Sequence, residues 1–351
     1  MGRTTPRQAE RVAVVGSGAW GTTLALVSQR AGHDVALYVR NPDEAGRIER
    51  TRRNERYLPN AELPPGILVT ADLASACQDA ALILLVVPSQ TVRPNARALA
   101  PVVGEAVVVS ATKGLERDSL KRMSEVVAEE IADAAAARLC ALSGPNLAGE
   151  IAAGKPATSV VASQNLAAAE RARDLLMSPQ FRCYTNEDVV GVEMGGALKN
   201  IIAIGAGMGD GLGAGDNAKA AFLTRGIAEV ARLGIAVGAD PLTFAGLAGL
   251  GDLVATCASP LSRNHRVGEE LVKGRPLAEI EASLGQVAEG IATTAAAYAL
   301  GRREGVELPI VEQMHAVLFE RKSPLEAVAA LMQREAKHEL EGIRKTAQMS
   351  G

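Results

Sequence analysis

The sequence is poor in aromatic residues and cysteine and has no long apolar run, and each shortage excludes a class of protein. Aromatic residues make up 3% of the 351 residues, too few for the stacking platforms of a single-stranded nucleic-acid binder. No two of the four cysteines have the spacing of a metal or redox motif, which predicts reduced thiols in a cytoplasmic protein. The longest purely apolar run, residues 80–87, is far shorter than the roughly 18 residues that span a bilayer.

Basic and acidic side chains are nearly balanced in number. The chain carries 37 basic and 40 acidic side chains and has a net charge of −3, so we expect no nucleic-acid partner. The first ten residues contain no hydrophobic signal core, and the four histidines form no zinc-binding pair. These observations predict a cytoplasmic protein with no membrane span and no metal.

Short apolar runs alternate with helical patterns through the first half of the chain. Several of these runs are continuous Val, Ile and Leu, as expected for strands that are covered on both faces. The alternation predicts an α/β fold with a doubly wound, mostly parallel sheet of the Rossmann-like type. The predicted strands are 12–15, 35–39, 67–70, 81–87, 106–110, 139–143, 158–162 and 181–185, and helices are predicted, for example, at 22–31, 119–137 and 166–177.

The pattern changes near Val189. Strand signals stop there, and Ala-, Gly- and Leu-rich helical stretches continue to the C-terminus. A length of 351 residues also suggests about two domains. We therefore predict a Rossmann-like domain over residues 1–188 and an all-α domain over residues 189–351.

A glycine-rich turn follows the first predicted strand. Gly16 permits a tight turn, Gly18 lets the backbone approach a pyrophosphate, and Gly21 lets the helix pack closely on the strand. An ordinary strand–helix turn would look similar, but the strand before it, the helix after it and the second strand beyond favour a dinucleotide site. The expected cofactor-binding residues of this turn are Gly16, Ser17, Gly18, Ala19, Trp20 and Gly21.

The second strand ends in a basic residue. A carboxylate at this point would accept hydrogen bonds from the ribose hydroxyls of NAD, whereas here the residue is Arg40. A guanidinium pairs with a 2′-phosphate, so NADP is the preferred cofactor and NAD the second choice. Two alternatives stay open: Arg40 points into solvent, or Asp43 binds the ribose instead.

Five further stretches combine polar groups with glycine or small residues, as active sites do. They are residues 110–116, 143–148, 193–200, 249–256 and 262–264. Together with the glycine turn they resemble, in order and over nearly the whole chain, the bacterial NAD(P)-dependent glycerol-3-phosphate dehydrogenases. The resemblance implies interconversion of dihydroxyacetone phosphate and sn-glycerol 3-phosphate for glycerophospholipid synthesis, by a homodimer.

The resemblance also implies catalytic roles. Reduction of a ketone needs a proton donor beside the developing alkoxide, and an ammonium supplies both the proton and the charge. The family pattern assigns this general acid/base role to Lys199, with Asn200 beside it. Asp252 and Thr256, four residues apart, would share one face of a helix and orient the lysine. The alternatives are a solvated Lys199 and an Asp252 that only caps a helix.

For the substrate, the resemblance selects a phosphate-binding group and several contacts near the reacting carbon. A phosphate dianion calls for a guanidinium with hydrogen-bond donors, which the Ser-Arg-Asn stretch offers. Lys113 and Arg263 would reach both the substrate and the cofactor, unless they are ordinary loop residues. The implied substrate contacts are Lys113, Gly144, Asn146, Lys199, Asp252, Ser262, Arg263 and Asn264.

Three more cofactor contacts are implied outside the glycine turn. Ala148 matches one family position, and Val287 and Glu289 match positions near the adenosine ribose. The surrounding residues VAEGIAT depart from the usual family pattern, in which a second apolar residue and an aromatic are common. A related lysine-dependent hydroxy-acid dehydrogenase, or a regulator that binds NADP without catalysis, remains an alternative; the first would need a carboxylate pocket, and the second would have lost the polar catalytic residues.

Overall fold

A computed structural model describes residues 9–335. Its centre is a single eight-stranded sheet in the order β3-β2-β1-β4-β5-β6-β7-β8. All neighbouring strands are parallel except the antiparallel pair β6 and β7. The strands are β1 Arg11–Val15, β2 Asp34–Tyr38, β3 Ile67–Thr70, β4 Leu82–Leu85, β5 Val107–Ser110, β6 Leu139–Ser143, β7 Ala157–Ala162 and β8 Phe181–Asn186.

The continuous apolar runs form the central strands because helices cover both faces of the sheet. Every residue of β4 and β5 is buried, as in doubly wound folds. The strand order reverses direction between β1 and β4. In open α/β sheets, ligands bind beyond the carboxyl ends of the strands at such a point, which here is where the glycine turn begins. The predicted Rossmann-like sheet is confirmed.

Eight helices accompany the sheet. They are α1 Ala19–Arg30, α2 Pro42–Thr51, α3 Leu73–Cys77, α4 Val92–Leu99, α5 Met123–Ala128, α6 Asp133–Ala136, α7 Ala148–Ala152 and α8 Leu166–Leu176. The single helix predicted at 119–137 is wrong. Leu120 has a left-handed backbone with φ of 60°, and Leu115 bridges to Arg122, so the chain before α5 is a loop. Ala132 is extended and separates α5 from α6.

Beyond the sheet the described chain is helical. The helices are α9 Val189–Gly211, α10 Gly215–Ala236, α11 Asp252–Ala258, α12 Arg263–Val272, α13 Leu277–Leu284, α14 Glu289–Glu304, α15 Pro309–Phe319 and α16 Pro324–Met332. A π-helical turn, Leu247–Gly251, precedes α11. Helix α9 is long and apolar enough to cross a membrane, yet 89% of its apolar window is buried inside the molecule. It is the central helix of this half, packed against α10, α12 and α14.

The change from sheet to helices falls between the end of β8 at Asn186 and the start of α9 at Val189. The division into residues 1–188 and 189–351 therefore stays a proposal whose outer ends, 1–8 and 336–351, lie outside the described residues. A partly buried ion pair ties the two halves together. Glu193 of α9 accepts hydrogen bonds from Arg122 Nη1 at 2.7 Å and from the Ser124 backbone N–H at 2.8 Å.

Candidate active site

A cleft of about 1160 Å³ lies between the carboxyl ends of the strands and the helical half. This volume exceeds the roughly 300–1,000 Å³ of a typical small-molecule pocket. It suits a dinucleotide and a second, smaller ligand side by side. Both halves of the chain supply its walls, which include all six residues from Gly16 to Gly21.

The glycine turn has the close packing that its sequence predicts. Gly16 has φ of +120°, and a Cβ there would overlap the Val86 carbonyl oxygen. A Cβ on Gly21 would overlap the carbonyl oxygen of Gly16. Helix α1 starts with Gly18 as its N-cap and without a side-chain cap. Its first N–H groups and the positive end of its dipole thus face the cleft, where they suit a phosphate.

Beyond the end of β2 the cleft wall carries both a cation and a carboxylate, that of Glu44. Arg40 follows β2, is exposed and lines the cleft, whereas Asp43 is exposed but is not part of this wall. A second cation, Arg56, also lines the cleft and lies 5.0 Å above the ring of Tyr57. The sequence did not point to Arg56, because it stands in a charge-rich segment that looks like a solvated surface.

Lys199 projects from α9 into the opposite end of the cleft. Its side chain is only 8% exposed. The ammonium donates to Asp252 Oδ1 at 2.7 Å and to Thr256 Oγ1 at 2.5 Å, and Thr256 also donates to Asp252 at 3.2 Å. Asp252 and Thr256 share one face of α11, as their spacing predicts. The Asp252 and Thr256 oxygens therefore hold the Lys199 Nζ at the cleft wall.

Lys113 reaches the same carboxylate from the sheet half. Its Nζ donates to Asp252 Oδ2 at 2.5 Å and to the Gly144 carbonyl at 3.0 Å. Burial lowers the pKa of Lys113 to about 8, while Asp252 acts against this and the nearby Lys199 adds to it. Asp252 is only 1% exposed, so it lies behind the two lysines, and Gly144 is behind Lys113.

Amide side chains continue the polar wall. Asn264 Nδ2 donates to Asn200 Oδ1 at 2.9 Å, and Asn264 Oδ1 accepts from the Gly290 backbone N–H at 3.0 Å. Ser262 caps α12 by accepting from the His265 N–H at 3.3 Å. Arg263, the first residue of α12, is exposed, lines the cleft and donates to the Val287 carbonyl.

Comparison with known proteins identifies the family of this chain. The family model for the N-terminal part of NAD-dependent glycerol-3-phosphate dehydrogenase matches residues 11–169, and that for the C-terminal part matches residues 188–329. A glycerol-3-phosphate dehydrogenase [NAD(P)+] of Desulfitobacterium hafniense is 49% identical over 342 residues, which cover 97% of this chain and 96% of the relative. The chain belongs to the NAD-dependent glycerol-3-phosphate dehydrogenase family.

Another relative and a solved structure agree. The glycerol-3-phosphate dehydrogenase [NAD(P)+] of Moorella thermoacetica is 48% identical over 333 residues, covering 95% of this chain and 98% of the relative. A crystal structure of glycerol-3-phosphate dehydrogenase from Coxiella burnetii superposes with a TM-score of 0.88 at 37% identity, covering 93% of this chain and 99% of that one. The protein is therefore an NAD(P)-dependent oxidoreductase acting on a CH–OH group, as the sequence predicts.

Within this family frame, the structure brings most of the predicted residues to one cleft. The predicted residues that line it are the glycine turn, Arg40, Lys113, Asn146, Ala148, Lys199, Asn200, Thr256, Ser262, Arg263, Asn264, Val287 and Glu289. Two predicted substrate contacts, Gly144 and Asp252, are not part of the wall. Asn146 exchanges hydrogen bonds with Ser159, at 2.8 and 3.1 Å.

The expected cofactor residue Glu289 contacts the segment that follows β4. Its carboxylate accepts from the Ser89 backbone N–H at 3.1 Å and from the Ser89 hydroxyl at 2.5 Å. Ser89 follows β4, on the far side of β1 from Arg40. Sequence reasoning missed Ser89, because its partner lies 200 residues away and no motif joins the two.

Proposed function

We propose that this enzyme reduces dihydroxyacetone phosphate to sn-glycerol 3-phosphate, with NADPH as the preferred cofactor. The observation that carries the proposal is the ammonium of Lys199, held by Asp252 and Thr256 at the wall of a cleft that begins at a glycine turn. A bound nicotinamide supplies the hydride. The chain's own residues must supply the proton and bind the phosphate.

Lys199 provides the proton. As negative charge develops on the ketone oxygen, the Lys199 ammonium stabilises it and transfers a proton, and in the reverse direction the neutral amine accepts one. Asp252 and Thr256 hold the Nζ in place through both states. Asn200, one residue on in α9, is fixed by Asn264 and extends the polar wall beside it.

Arg263 binds the substrate phosphate. It is the exposed guanidinium at the start of α12 and lies next to Asn264 in the cleft wall. Its contact with the Val287 carbonyl leaves other N–H groups for an anion, because a guanidinium has five. We assign Lys113 to the substrate as well, since its Nζ shares the carboxylate that holds Lys199.

The preference for NADPH rests on Arg40. It is exposed at the end of β2 and lines the cleft, while Asp43 is not part of the wall. Arg56 adds a second positive charge to the cleft wall. Two guanidiniums favour a 2′-phosphate. Glu44, which also lines the cleft, offers a carboxylate to a ribose diol, so NADH remains usable but less favoured.

We also infer a cytoplasmic homodimer that serves glycerophospholipid synthesis. All four cysteines are free and buried, in keeping with a reducing compartment. A two-fold dimer is the commonest closed assembly of soluble proteins, and light scattering on the purified protein tests it.

The variant Lys199→Met tests the chemistry. Methionine keeps an unbranched chain of similar length but has no proton to give. Turnover with dihydroxyacetone phosphate should fall by about 10²–10⁴-fold, with NADPH affinity retained. Lys273→Met, at an exposed surface lysine paired with Glu270, is the matched control and should keep full turnover. Near-full turnover in Lys199→Met would contradict the proposal.

A further inference from the structure

The segment between α2 and β3 holds the glycine turn through one buried amide. Asn54 is 1% exposed and lies 37 residues from its partner in the turn. Its Nδ2 donates to the Ser17 carbonyl at 2.7 Å and to Thr22 Oγ1 at 2.8 Å. Since a carbonyl oxygen only accepts, the amide nitrogen must face Ser17, which fixes the orientation of the side chain.

This contact determines the direction of the next N–H. The peptide between Ser17 and Gly18 is planar and trans, so its C=O and N–H point in opposite directions. Asn54, helped by the Thr22 hydroxyl at 3.3 Å, binds the Ser17 carbonyl on the buried side. The Gly18 N–H is thereby turned towards the cleft, where a pyrophosphate would accept it.

This amide carries a cost in stability. Asn54 Oδ1 is buried and has no hydrogen-bond partner among the described residues. An unsatisfied buried oxygen is costly, and a leucine of similar size would avoid the cost. The nitrogen, by contrast, has two well-placed acceptors on the phosphate-binding turn.

We propose that Asn54 is a positioning residue for cofactor binding, one that keeps the Ser17–Gly18 peptide in the orientation that binds the pyrophosphate. The Asn54 backbone carbonyl also accepts from the N–H groups of Tyr57 and Leu58, in a turn that places Arg56 on the cleft wall. Because NAD and NADP share the pyrophosphate, Asn54 acts equally on both. This inference rests on the proposed dinucleotide site but not on the preference for NADPH.

The test measures dissociation constants for NADP⁺ and NAD⁺ by calorimetry in wild type, Asn54→Leu and Asn54→Asp. Loss of the amide donor should weaken both nucleotides by the same factor, about tenfold, leaving their ratio near the wild-type value. The melting temperature should stay near the wild-type value in Asn54→Leu and fall in Asn54→Asp, where a buried carboxylate faces the Ser17 carbonyl. The matched control is Asn217→Asp, at an exposed residue of α10, which should bind as wild type does.

Two further measurements separate positioning from a general structural effect. In Asn54→Asp, affinity for both nucleotides should recover as the pH falls, because the protonated carboxyl again donates to Ser17; wild type should show no such recovery. A changed NADP⁺ to NAD⁺ ratio would mean that Arg56 and Tyr57 had moved instead. Unchanged affinity in both Asn54 variants would overturn the inference alone, whereas a wild-type protein that binds neither nucleotide would overturn the proposed function.

Discussion

Asp252 is a single carboxylate that faces two ammonium groups, with one oxygen for Lys199 and the other for Lys113. Two like charges near one another cost free energy unless an opposite charge lies between them. The buried carboxylate of Asp252 lies between the two ammonium groups and supplies this opposite charge. It thereby brings a lysine from the sheet half and a lysine from the helical half to the same point of the cleft.

Lys113 gives the reaction a predictable response to alkaline pH. Burial lowers the Lys113 pKa to about 8, so this lysine is charged below that pH and neutral above it. The kcat/KM for dihydroxyacetone phosphate should therefore fall as the pH rises through about 8, because the attraction for a phosphorylated substrate is lost. In Lys113→Arg, which stays charged, the fall should move to higher pH even if the rate is lower. If the fall of kcat/KM at alkaline pH stayed at the same pH in Lys113→Arg, a group other than Lys113 would cause it.

Arg40 should determine the choice of cofactor. Arg40→Asp replaces an attraction for the 2′-phosphate by a repulsion and offers the ribose diol a carboxylate. The ratio of kcat/KM for NADPH to that for NADH should exceed one in wild type and fall below one in the variant. Arg50→Asp, at an exposed arginine of α2 outside the cleft, should leave the ratio unchanged. An inverted ratio in wild type would mean that Arg40 points into solvent.

Residues that stand in family motifs were singled out from the sequence, and residues outside any motif were not. Lys199, Asp252 and the glycine turn stand in such motifs, although Lys199 and Asp252 are 53 residues apart. Ser89 and Asn54 owe their importance to partners 200 and 37 residues away. Nothing near either residue signals its partner, because only the folded chain brings them together.

At the scale of elements, the strands were predictable because burial on both faces selects continuous Val, Ile and Leu runs. The helix expected at 119–137 shows the limit. Its residues favour a helix by composition, but Glu116 accepts from Arg93 at 2.7 and 2.9 Å and its backbone N–H donates to the Lys121 carbonyl at 2.9 Å. These tertiary contacts hold a loop in place of the first helical turns.

A carboxylate of α10 is buried against the first residues of α15. Glu229 of α10 accepts from the backbone N–H groups of Ile310 and Val311 at 2.9 and 2.8 Å. Burial raises the Glu229 pKa to about 7, although these two bonds favour the charged form. Between pH 4.5 and 7 the folded state thus binds more protons than the unfolded state, so this group makes stability fall as pH rises.

The variant Glu229→Gln should remove that part of the pH dependence. Glutamine keeps one acceptor oxygen and never ionises. The free energy of unfolding in urea should therefore differ less between pH 5 and pH 8 than it does in wild type, and this difference should shrink by up to about 3 kcal/mol. Glu187→Gln, at an exposed residue, should retain the wild-type slope. A Glu229→Gln protein with the full wild-type slope would show that other buried carboxylates cause it.

At the scale of the whole molecule, each of the two halves contributes different residues to the cleft. The sheet half supplies the glycine turn, Arg40 and Lys113, and the helical half supplies Lys199, Asp252 and Arg263. Contacts such as Glu193 with Arg122 and Ser124 fix α9 against the sheet half. The cleft is thus lined by residues of both halves, and under the proposed function substrate and cofactor meet there.

The most direct test of this account is NADPH oxidation with dihydroxyacetone phosphate, unphosphorylated dihydroxyacetone and a panel of 2-oxo acids, in wild type and in Arg263→Ala. Wild type should reduce dihydroxyacetone phosphate far faster than the other compounds. Arg263→Ala should lose most of that advantage, because the charge-assisted pairing with the phosphate is gone. Equal rates with the phosphorylated and free ketones, or faster reduction of a 2-oxo acid, would contradict the account.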